Sequence, residues 1–339
     1  MRYRILGNSG LRVSELCLGT MTFGDDWGWG APPAECAAML DVFLENGGNF
    51  VDTASNYTDG SSERILGELL QGRRDEVVLA TKYTMTSRPG DPNGGGNHRK
   101  NLVQSLEQSL RRLRTDRVDL LWLHIWDGTT PVEEVLRALD DMVRAGKVLH
   151  AGMSDTPSWV VARACAIAEL RGWTRPCAVQ APYSLSSRDV ERELLPMAQA
   201  HNLPVLAWAV IGGGVITGKY TATDGGPRRY GDLTPRERTR RIVAEVQAVA
   251  GECGMTPAQV ALAWMRAPQR RPHVIPLLGA RTAAQLRENL RVVDLDLPAE
   301  AVERLDGVGA IEHGFPRDFL ADEEMVGLVF GSTRRLLEV

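Results

Sequence analysis

The chain has 339 residues, of which 43% are hydrophobic and 24% are charged, as in ordinary globular proteins. Its formal net charge of −4 gives no reason to expect nucleic acid as a partner. The first ten residues lack the apolar stretch of a secretory signal, and the longest uncharged run, Leu203–Gly218, is too short to span a membrane. Five cysteines occur singly, which argues against a disulfide framework or a zinc site. We therefore expect a cytoplasmic protein with no membrane partner.

Short apolar runs alternate along the chain with longer segments whose apolar residues recur every three or four positions, the period of an amphipathic helix. The predicted strands are Glu15–Leu18, Asn49–Asp52, Val77–Lys82, Val118–His124, His150–Met153, Ala178–Gln180, Val205–Trp208 and His273–Pro276. The predicted helices are Pro33–Asn46, Ser61–Leu70, Asn101–Leu113, Val132–Ala145, Ser158–Leu170, Asp189–Asn202, Thr256–Ala267 and Thr282–Leu290. This alternation, without a linker, predicts a single domain over residues 1–339: an α/β fold, the closed parallel (β/α)8 TIM barrel.

The alternative is a doubly wound open sheet, which would be favoured by G-x-G-x-x-G after the first strand. The segment Cys17–Gly24 does not match that pattern. Ahead of the barrel, Arg2–Leu6 and Leu11–Ser14 predict a short hairpin. Ser87–Asn97 is rich in Gly and Pro, Thr221–Arg238 is polar, and both predict long loops.

Polar residues stand at the ends of several predicted strands. All strands of a parallel barrel end on the same face, so these side chains should converge there. Taken singly, an Asp after a strand is usually a helix cap, a Lys is a surface residue and a His is a core side chain. Several of them at one rim favour a functional site. The residues are Asp52, Lys82, His124, Ser154, Asp155, Gln180 and Trp208.

Tyr57 follows Asp52 by five residues, in the loop after the second strand. A phenol has a pKa near 10, so it is a poor acid at neutral pH. A nearby ammonium such as that of Lys82 would stabilise the phenolate, so we expect a lowered pKa for Tyr57, with Asp52 holding the lysine in place. His124 could donate a hydrogen bond to a substrate carbonyl oxygen. This arrangement suits delivery of a proton to an oxygen that becomes negative during reduction.

The same residues lie in segments that resemble the catalytic blocks of the aldo-keto reductase family, over nearly the whole chain. The resemblance implies an NADPH-dependent oxidoreductase that reduces the carbonyl of an aldehyde, a ketone or a ketosugar to an alcohol. It makes Tyr57 the general acid, with Lys82 and Asp52 tuning it and His124 orienting the carbonyl. The segments are Phe50–Tyr57, Tyr57–Glu63, Leu79–Lys82 and Leu121–His124.

Cofactor-binding segments match as well. Gly152–Asp155 resembles the segment that binds the nicotinamide amide, and Trp208 falls where an aromatic ring stacks on the nicotinamide. Gly212–Tyr220 resembles the loop that crosses the pyrophosphate, and Ile275–Asn289 resembles the adenosine-phosphate block. The implied cofactor contacts are Gly19, Thr20, Met21, Asp52, Ser154, Asp155, Gln180, Trp208, Ala209, Ile211, Gly213, Lys219, Gly279, Arg281, Gln285 and Asn289.

Within these blocks, Arg281 decides the expected cofactor. A guanidinium suits a 2′-phosphate, so NADPH is expected over NADH, and the helix predicted from Thr282 would add its first amides. Two positions depart from the family. Asp155 stands where many relatives carry Asn, and an ionised Asp accepts from an amide but cannot donate. Ala209 lacks the hydroxyl of the serine that is common there.

Other readings are weaker. Gly213–Lys219 nearly forms a P-loop, but Tyr220 follows where Ser or Thr is needed to bind Mg²⁺. A metal-dependent lyase or hydrolase is disfavoured because none of the six histidines lies in an H-x-x-x-H arrangement, and no metal is expected. A regulatory subunit that binds cofactor without turnover is disfavoured by the complete tetrad.

Aromatic residues mark the expected substrate pocket. Trp27, Trp29 and Trp126 lie in loops at the predicted mouth, and Phe315–Phe319 in the C-terminal segment should close it. These side chains predict an apolar mouth for a small-molecule carbonyl substrate. The sequence leaves the substrate itself and the oligomeric state open.

Overall fold

A computed structural model of the chain describes residues 1–220, 234–270 and 273–337. Its strands are β1 (Tyr3–Ile5), β2 (Arg12–Ser14), β3 (Cys17–Gly19), β4 (Phe50–Asp52), β5 (Val78–Tyr83), β6 (Val118–Leu123), β7 (Val148–Ser154), β8 (Pro176–Pro182), β9 (Val205–Trp208) and β10 (Val274–Leu278). Its α-helices are α1 (Pro33–Glu45), α2 (Ser61–Leu69), α3 (Arg99–Leu113), α4 (Val132–Arg144), α5 (Ser158–Arg171), α6 (Leu194–Ala200), α7 (Glu237–Cys253), α8 (Pro257–Met265), α9 (Ala283–Leu290), α10 (Ala299–Val308), α11 (Arg317–Ala321) and α12 (Glu323–Phe330).

Strands β3 to β10 form a closed parallel barrel in which each strand pairs with the next along the chain and β10 returns to β3. The prediction of a (β/α)8 barrel is therefore confirmed. Strands β1 and β2 pair antiparallel, with Tyr3 opposite Ser14, which confirms the hairpin. Leu6 and Val13 from this region pack against Phe50 and Trp122, so the hairpin closes the amino-terminal end of the barrel.

The boundaries of the elements differ from the prediction in instructive places. The helix expected over Asp189–Asn202 is instead a 3-10 turn at Asp189–Glu191 followed by α6. Pro196 explains the break, because proline lacks an N–H and is tolerated only in the first turn of a helix. The loop expected over Thr221–Arg238 lies outside the described residues up to position 233, and α7 begins at Glu237.

Helices α7 and α10 to α12 were not predicted. The buried residues of α7 recur at helical spacing, as in Ile242, Val246 and Val249. This helix could therefore have been predicted from the sequence. Among the described residues, none of the helices has both the length and the apolar character needed to cross a membrane.

Side-chain alternation along the strands places the polar residues inside the barrel. Successive residues of a strand point to opposite faces. Val78 and Ala80 of β5 belong to the cluster inside the barrel, whereas Leu79 packs in the larger cluster between strands and helices. Lys82 therefore lies on the same interior face as Val78 and Ala80. It is closer than they are to the carboxyl-terminal end of the barrel. In β6 the same alternation places His124 above Trp122.

Two glycines make room for the bulky floor of this polar layer. A Cβ at Gly152 would lie 2.4 Å from the ring of Trp122, and one at Gly19 would lie 2.1 Å from Leu277. Real Cβ atoms do not approach so closely. The indole of Trp122, which is fully buried, therefore fills the centre of the barrel beneath the carboxyl-terminal layer.

A buried ion pair ties the barrel to the helices near its amino-terminal end. Glu15 and Arg266 are each 1% exposed, and Arg266 Nη2 donates to Glu15 Oε2 at 3.1 Å. Arg266 also donates to the carbonyls of Val292 and Val293. Burial raises the pKa of Glu15, but the Arg266 charge and the Arg2 backbone N–H lower it more, so its pKa lies below the ordinary value. The carboxylate therefore stays ionised.

We expect Arg266→Met to lower the free energy of unfolding by about 3–5 kcal/mol, because it removes the buried partner of the Glu15 carboxylate and leaves only Arg2, whose side chain is largely exposed. The double variant Glu15→Gln, Arg266→Met should recover part of that loss, because no buried charge remains. Urea denaturation of the wild type and the variants measures both effects. A loss below about 1 kcal/mol in the single variant would show that the pair is not needed for stability.

Candidate active site

A cavity of about 1290 Å³ opens at the carboxyl ends of the barrel strands. Its wall includes the last residues of four strands: Gly19, Asp52, Trp208 and Leu278. Pockets for one small molecule usually occupy about 300–1,000 Å³. This cavity therefore has room for two ligands side by side, at the face where a parallel barrel gathers the ends of its strands.

Lys82 lies at the centre of the polar layer and is completely buried. Its Nζ donates to the Asp52 carboxylate, to the Thr53 carbonyl at 2.8 Å and to Tyr57 Oη at 3.0 Å. An ammonium has three N–H donors, so all three are used. Burial lowers the pKa of Lys82, but the Asp52 charge and Tyr57 raise it more, so its pKa lies above the ordinary value. The lysine is therefore cationic at neutral pH.

The pKa of Tyr57 does not move as predicted. Burial raises it most; the Lys82 charge lowers it, and Asp52 raises it again, so the net shift is upward from 10.0. The expectation of a lowered pKa is therefore wrong. The physical reason is burial, which disfavours the charged phenolate, while the Asp52 charge opposes part of the effect of Lys82. Tyr57 keeps its proton throughout the neutral range.

His124 follows β6 and faces Tyr57 edge-on, with 5.9 Å between the ring centroids. Burial, and secondarily the Lys82 charge, lowers the pKa of His124 to about 3. The imidazole is therefore neutral and carries one N–H and one lone pair. A neutral imidazole can donate a hydrogen bond in the cavity without introducing a second positive charge.

Asp52 is held from two sides. Lys82 binds one carboxylate oxygen, and Gln180 Nε2 donates to the other at 3.2 Å. Behind them, Ser62 Oγ lies 2.9 Å from the hydroxyls of both Thr20 and Thr53. Thr20 is fully buried and its hydroxyl donates to the Asp52 carbonyl, so this side chain supports the site from behind and does not line the cavity.

The segment after Tyr57 is held in an unusual conformation. Thr58 and Asp59 have φ of 45° and 53°, in the left-handed region that residues with a Cβ seldom adopt. Thr58 Oγ1 donates to the Phe23 carbonyl at 2.6 Å and accepts from the Ser62 amide. These bonds fix the turn and thereby the direction of Tyr57.

The structure gathers most of the predicted cofactor contacts in the cavity wall. Thr20 and Ser154 are both buried outside that wall, and Ser154 Oγ has no hydrogen-bond partner among the described residues. The predicted contacts that line the cavity are Gly19, Met21, Asp52, Asp155, Gln180, Trp208, Ala209, Ile211, Gly213, Lys219, Gly279, Arg281, Gln285 and Asn289.

Around α9 the arrangement differs from the expectation. The Ala283 amide donates to Glu35 Oε1 at 2.5 Å, and the Gln285 amide donates to Thr282 Oγ1 at 3.1 Å. Two of the first amides of this helix are therefore already bonded within the chain. Arg281 lines the cavity and forms no ion pair with any residue that the structure describes. Binding of an anion at this site would therefore depend on the Arg281 guanidinium more than on the backbone amides of α9.

The aromatic residues assigned to substrate separate into two groups. Trp27 and Trp29 line the cavity with ring centroids 5.8 Å apart, and Trp27 Nε1 donates to Asp59 beside Tyr57. Trp126 is absent from the lining and packs against the core cluster. Phe315 and Phe319 are 84% and 51% exposed and contact each other, so the C-terminal segment does not close the cavity as predicted.

Comparison with known proteins shows which family the chain belongs to. A family model described as the aldo/keto reductase family matches residues 15–310. The chain is 42% identical to norsolorinic acid reductase of Emericella nidulans over 323 residues, which cover 92% of this chain and 82% of that protein. It is 34% identical to the aryl-alcohol dehydrogenase [NADP(+)] of Phanerodontia chrysosporium over 330 residues, with coverages of 91% and 85%. An aryl-alcohol dehydrogenase of Pestalotiopsis microspora is 37% identical, with coverages of 96% and 86%.

The chain belongs to the aldo/keto reductase family. It is an oxidoreductase that acts on carbonyl and alcohol groups, in a family that uses nicotinamide cofactors. Several cavity residues of this reductase escaped the sequence analysis: Met85 follows the end of β5, and Thr256 and Leu262 come from the start and the middle of α8. Met85 could have been found by extending the strand-end argument three residues beyond Lys82. Leu262 could not, because it reads as ordinary core.

We expect His124 of this reductase to stay neutral as the pH falls from 8 to 5, because its pKa is about 3. Two-dimensional NMR of the histidine-labelled free enzyme measures this, with His124→Asn to assign the signal. In Lys82→Met the pKa of His124 should rise, because the ammonium charge that lowers it is gone. Protonation of wild-type His124 with a midpoint above pH 5.5 would contradict the burial argument.

Proposed function

We propose that the enzyme is an NADPH-dependent carbonyl reductase in which Tyr57 donates a proton to the substrate oxygen. The observation that carries the proposal is the junction at Lys82, where one buried ammonium joins Asp52, Thr53 and Tyr57. It lies directly beneath a cavity large enough for a dinucleotide and a substrate. A buried ion pair of this kind adds little to stability, because desolvation offsets its attraction, so its place beside a cavity supports a functional role.

The residues present fit a dinucleotide along the cavity. The amide of Gln180, from β8, lines the cavity, where it can bond the amide of a nicotinamide, and Ser154 lies buried behind the wall on the neighbouring strand. Trp208 presents an apolar ring in the wall. The glycine-rich segment at Gly213 allows close approach of a pyrophosphate. Arg281, without an ion-pair partner in the described chain, suits a 2′-phosphate.

The chemistry divides between cofactor and protein. Bound NADPH supplies the hydride that the carbonyl carbon receives. Tyr57 donates its hydroxyl proton to the carbonyl oxygen, and Lys82, 3.0 Å from that hydroxyl, stabilises the phenolate that remains. Neutral His124 donates a hydrogen bond to the same oxygen and orients it. Because Tyr57 keeps its proton at neutral pH, the general acid is already protonated when the substrate binds.

For the substrate we propose an aryl aldehyde or aryl ketone. Trp27 and Trp29 form a tilted pair, at 44° between ring planes, in the cavity wall. Aromatic faces favour flat aromatic partners over sugars. The relatives named norsolorinic acid reductase and aryl-alcohol dehydrogenase support the same class.

A reducing compartment such as the cytoplasm fits this proposal. All five cysteines are free, and four of them are buried. Burial raises the pKa of Cys36 to about 11 and that of Cys177 to about 12, which keeps both thiols protonated. These thiols behave as small apolar core residues, and none is placed to take part in the reaction.

Tyr57→Phe should lower kcat for an aryl aldehyde by roughly two to four orders of magnitude, because the general acid is lost. Binding of NADPH should change little, since the hydroxyl serves the substrate. Stopped-flow NADPH oxidation and calorimetric titration measure the two quantities. Tyr83→Phe is the matched control, because it removes a buried hydroxyl from the residue after Lys82 without touching the cavity. Turnover of Tyr57→Phe near that of the wild type would refute the assignment.

Arg281→Ala should weaken NADPH by about tenfold to a hundredfold and leave NADH almost unchanged, because only NADPH carries the 2′-phosphate. Added salt should erode the preference of the wild type. Titration of both cofactors by tryptophan fluorescence provides the constants. Arg287→Ala, which removes an exposed charge from α9 outside the cavity, controls for net charge. Equal losses for the two cofactors would make Arg281 a surface charge only.

A further inference from the structure

A hydrogen bond between two cavity residues has no place in the mechanism above. Trp208 Nε1 donates to Asp155 Oδ1 at 3.1 Å, and both residues line the cavity. We propose that Asp155 is a positioning residue whose carboxylate holds the Trp208 indole in one orientation, as a fixed platform for the nicotinamide ring. The proposal rests on the proposed function, because it assumes that a nicotinamide binds there.

Trp208 needs such a restraint. It is the last residue of β9 and is 36% exposed, whereas the preceding Ala207 is fully buried. The indole therefore leaves the packed core and extends along an open wall. Core packing fixes side chains by contact on all sides, and a ring with a free face lacks that restraint. A hydrogen bond to the indole N–H restricts rotation of the ring and leaves its face free.

The backbone at both ends of the bond is fixed. Asp155 has φ of 41° and Ala209, next to Trp208, has φ of 55°, both in the left-handed region. The Asp155 amide donates to the Gln180 carbonyl at 3.0 Å, and the Ala209 carbonyl accepts from Gly212 at 2.7 Å. Such conformations persist only where surrounding bonds impose them. The two side chains are thus brought together across β8 by a built arrangement.

Trp126 takes part in this arrangement through its backbone. Its N–H donates to the Asp155 carbonyl at 3.3 Å, and its side chain packs against the core. Trp126 was predicted to contact substrate, and its place beside Asp155 gives it a supporting position in this unit. The loop after β6 thereby anchors the residue that holds Trp208.

Two substitutions of Asp155 separate its hydrogen bond to Trp208 from a direct contact with the cofactor. Asn retains an acceptor oxygen for the indole N–H but has no charge, whereas Ala has neither. If Asp155 acts through Trp208, Asn should preserve the position of the ring. If Asp155 instead acts by binding the nicotinamide amide directly, its effect should persist when Trp208 is replaced by Phe.

The first experiment reads the bond in the free enzyme, without cofactor. The chain has eight tryptophans, and two-dimensional NMR of the indole N–H groups resolves them, with Trp208→Phe to assign the signal. In Asp155→Ala the Trp208 signal should shift and exchange faster with water, and in Asp155→Asn it should stay close to the wild-type position. An unchanged Trp208 signal in Asp155→Ala would overturn the proposal.

The second experiment measures cofactor binding by calorimetry in a double-mutant cycle. Asp155→Ala should weaken NADPH about tenfold, as for loss of a charge-assisted hydrogen bond, and Asp155→Asn less than threefold. In the Trp208→Phe background, Asp155→Ala should add less than twofold. Trp159→Phe, which removes a tryptophan that is 63% exposed outside the cavity, is the control.

A tenfold effect of Asp155→Ala that persists in Trp208→Phe would overturn the proposal and assign Asp155 a direct contact with the cofactor. A wild-type enzyme that binds neither NADPH nor NADH would refute the proposed function, and the platform role with it. The indole signal of the free enzyme would still report whether the bond exists. The two failures are therefore distinguishable.

Discussion

The buried ammonium of Lys82 is the interaction on which the rest of the site depends. A cation without solvent must be paired and fully hydrogen-bonded, or the folded state loses several kcal/mol of stability. Asp52 forms an ion pair with the ammonium, and Thr53 and Tyr57 accept hydrogen bonds from its remaining N–H groups. The Lys82 charge lowers the pKa of Tyr57, but burial and the Asp52 charge together raise it more, so Tyr57 keeps its proton in the free enzyme. The Lys82 charge stabilises Tyr57 most strongly once Tyr57 has lost its proton. Stabilisation that is stronger in the transition state than in the ground state accelerates a reaction.

This polar layer is possible because the barrel below it is closed and filled. The alternation of β5 places Lys82 on the same face as Val78 and Ala80, and the indole of Trp122 occupies the centre, where Gly152 leaves space for it. The floor excludes water from below, so the electrostatic interactions above it act at low dielectric. The cavity opens at the carboxyl-terminal face.

Backbone strain is concentrated around the same cavity. Thr58, Asp59, Asp155 and Ala209 all have positive φ, at a cost of order 1–3 kcal/mol each. Thr58 and Asp59 follow Tyr57, Ala209 follows Trp208, and Asp155 accepts the hydrogen bond of the Trp208 indole. The closed barrel carries this cost because its many strand and helix contacts over-determine the loops. A less rigid scaffold would relax the turns and release the two aromatic rings.

The sequence by itself determined the barrel, the order of its elements and the strand ends that carry Asp52, Lys82 and His124. These follow from local patterns: side-chain period, strand–helix alternation and polar residues at the ends of several apolar runs. The tertiary structure alone decided the rest. The direction of the Tyr57 pKa depends on the burial of the phenol and on its distances from Lys82 and Asp52. The bond from Trp208 to Asp155 crosses an intervening strand, and the Glu35 carboxylate reaches an amide of α9 from 248 residues away. Such outcomes depend on distances between residues remote in sequence, and no local pattern encodes those distances.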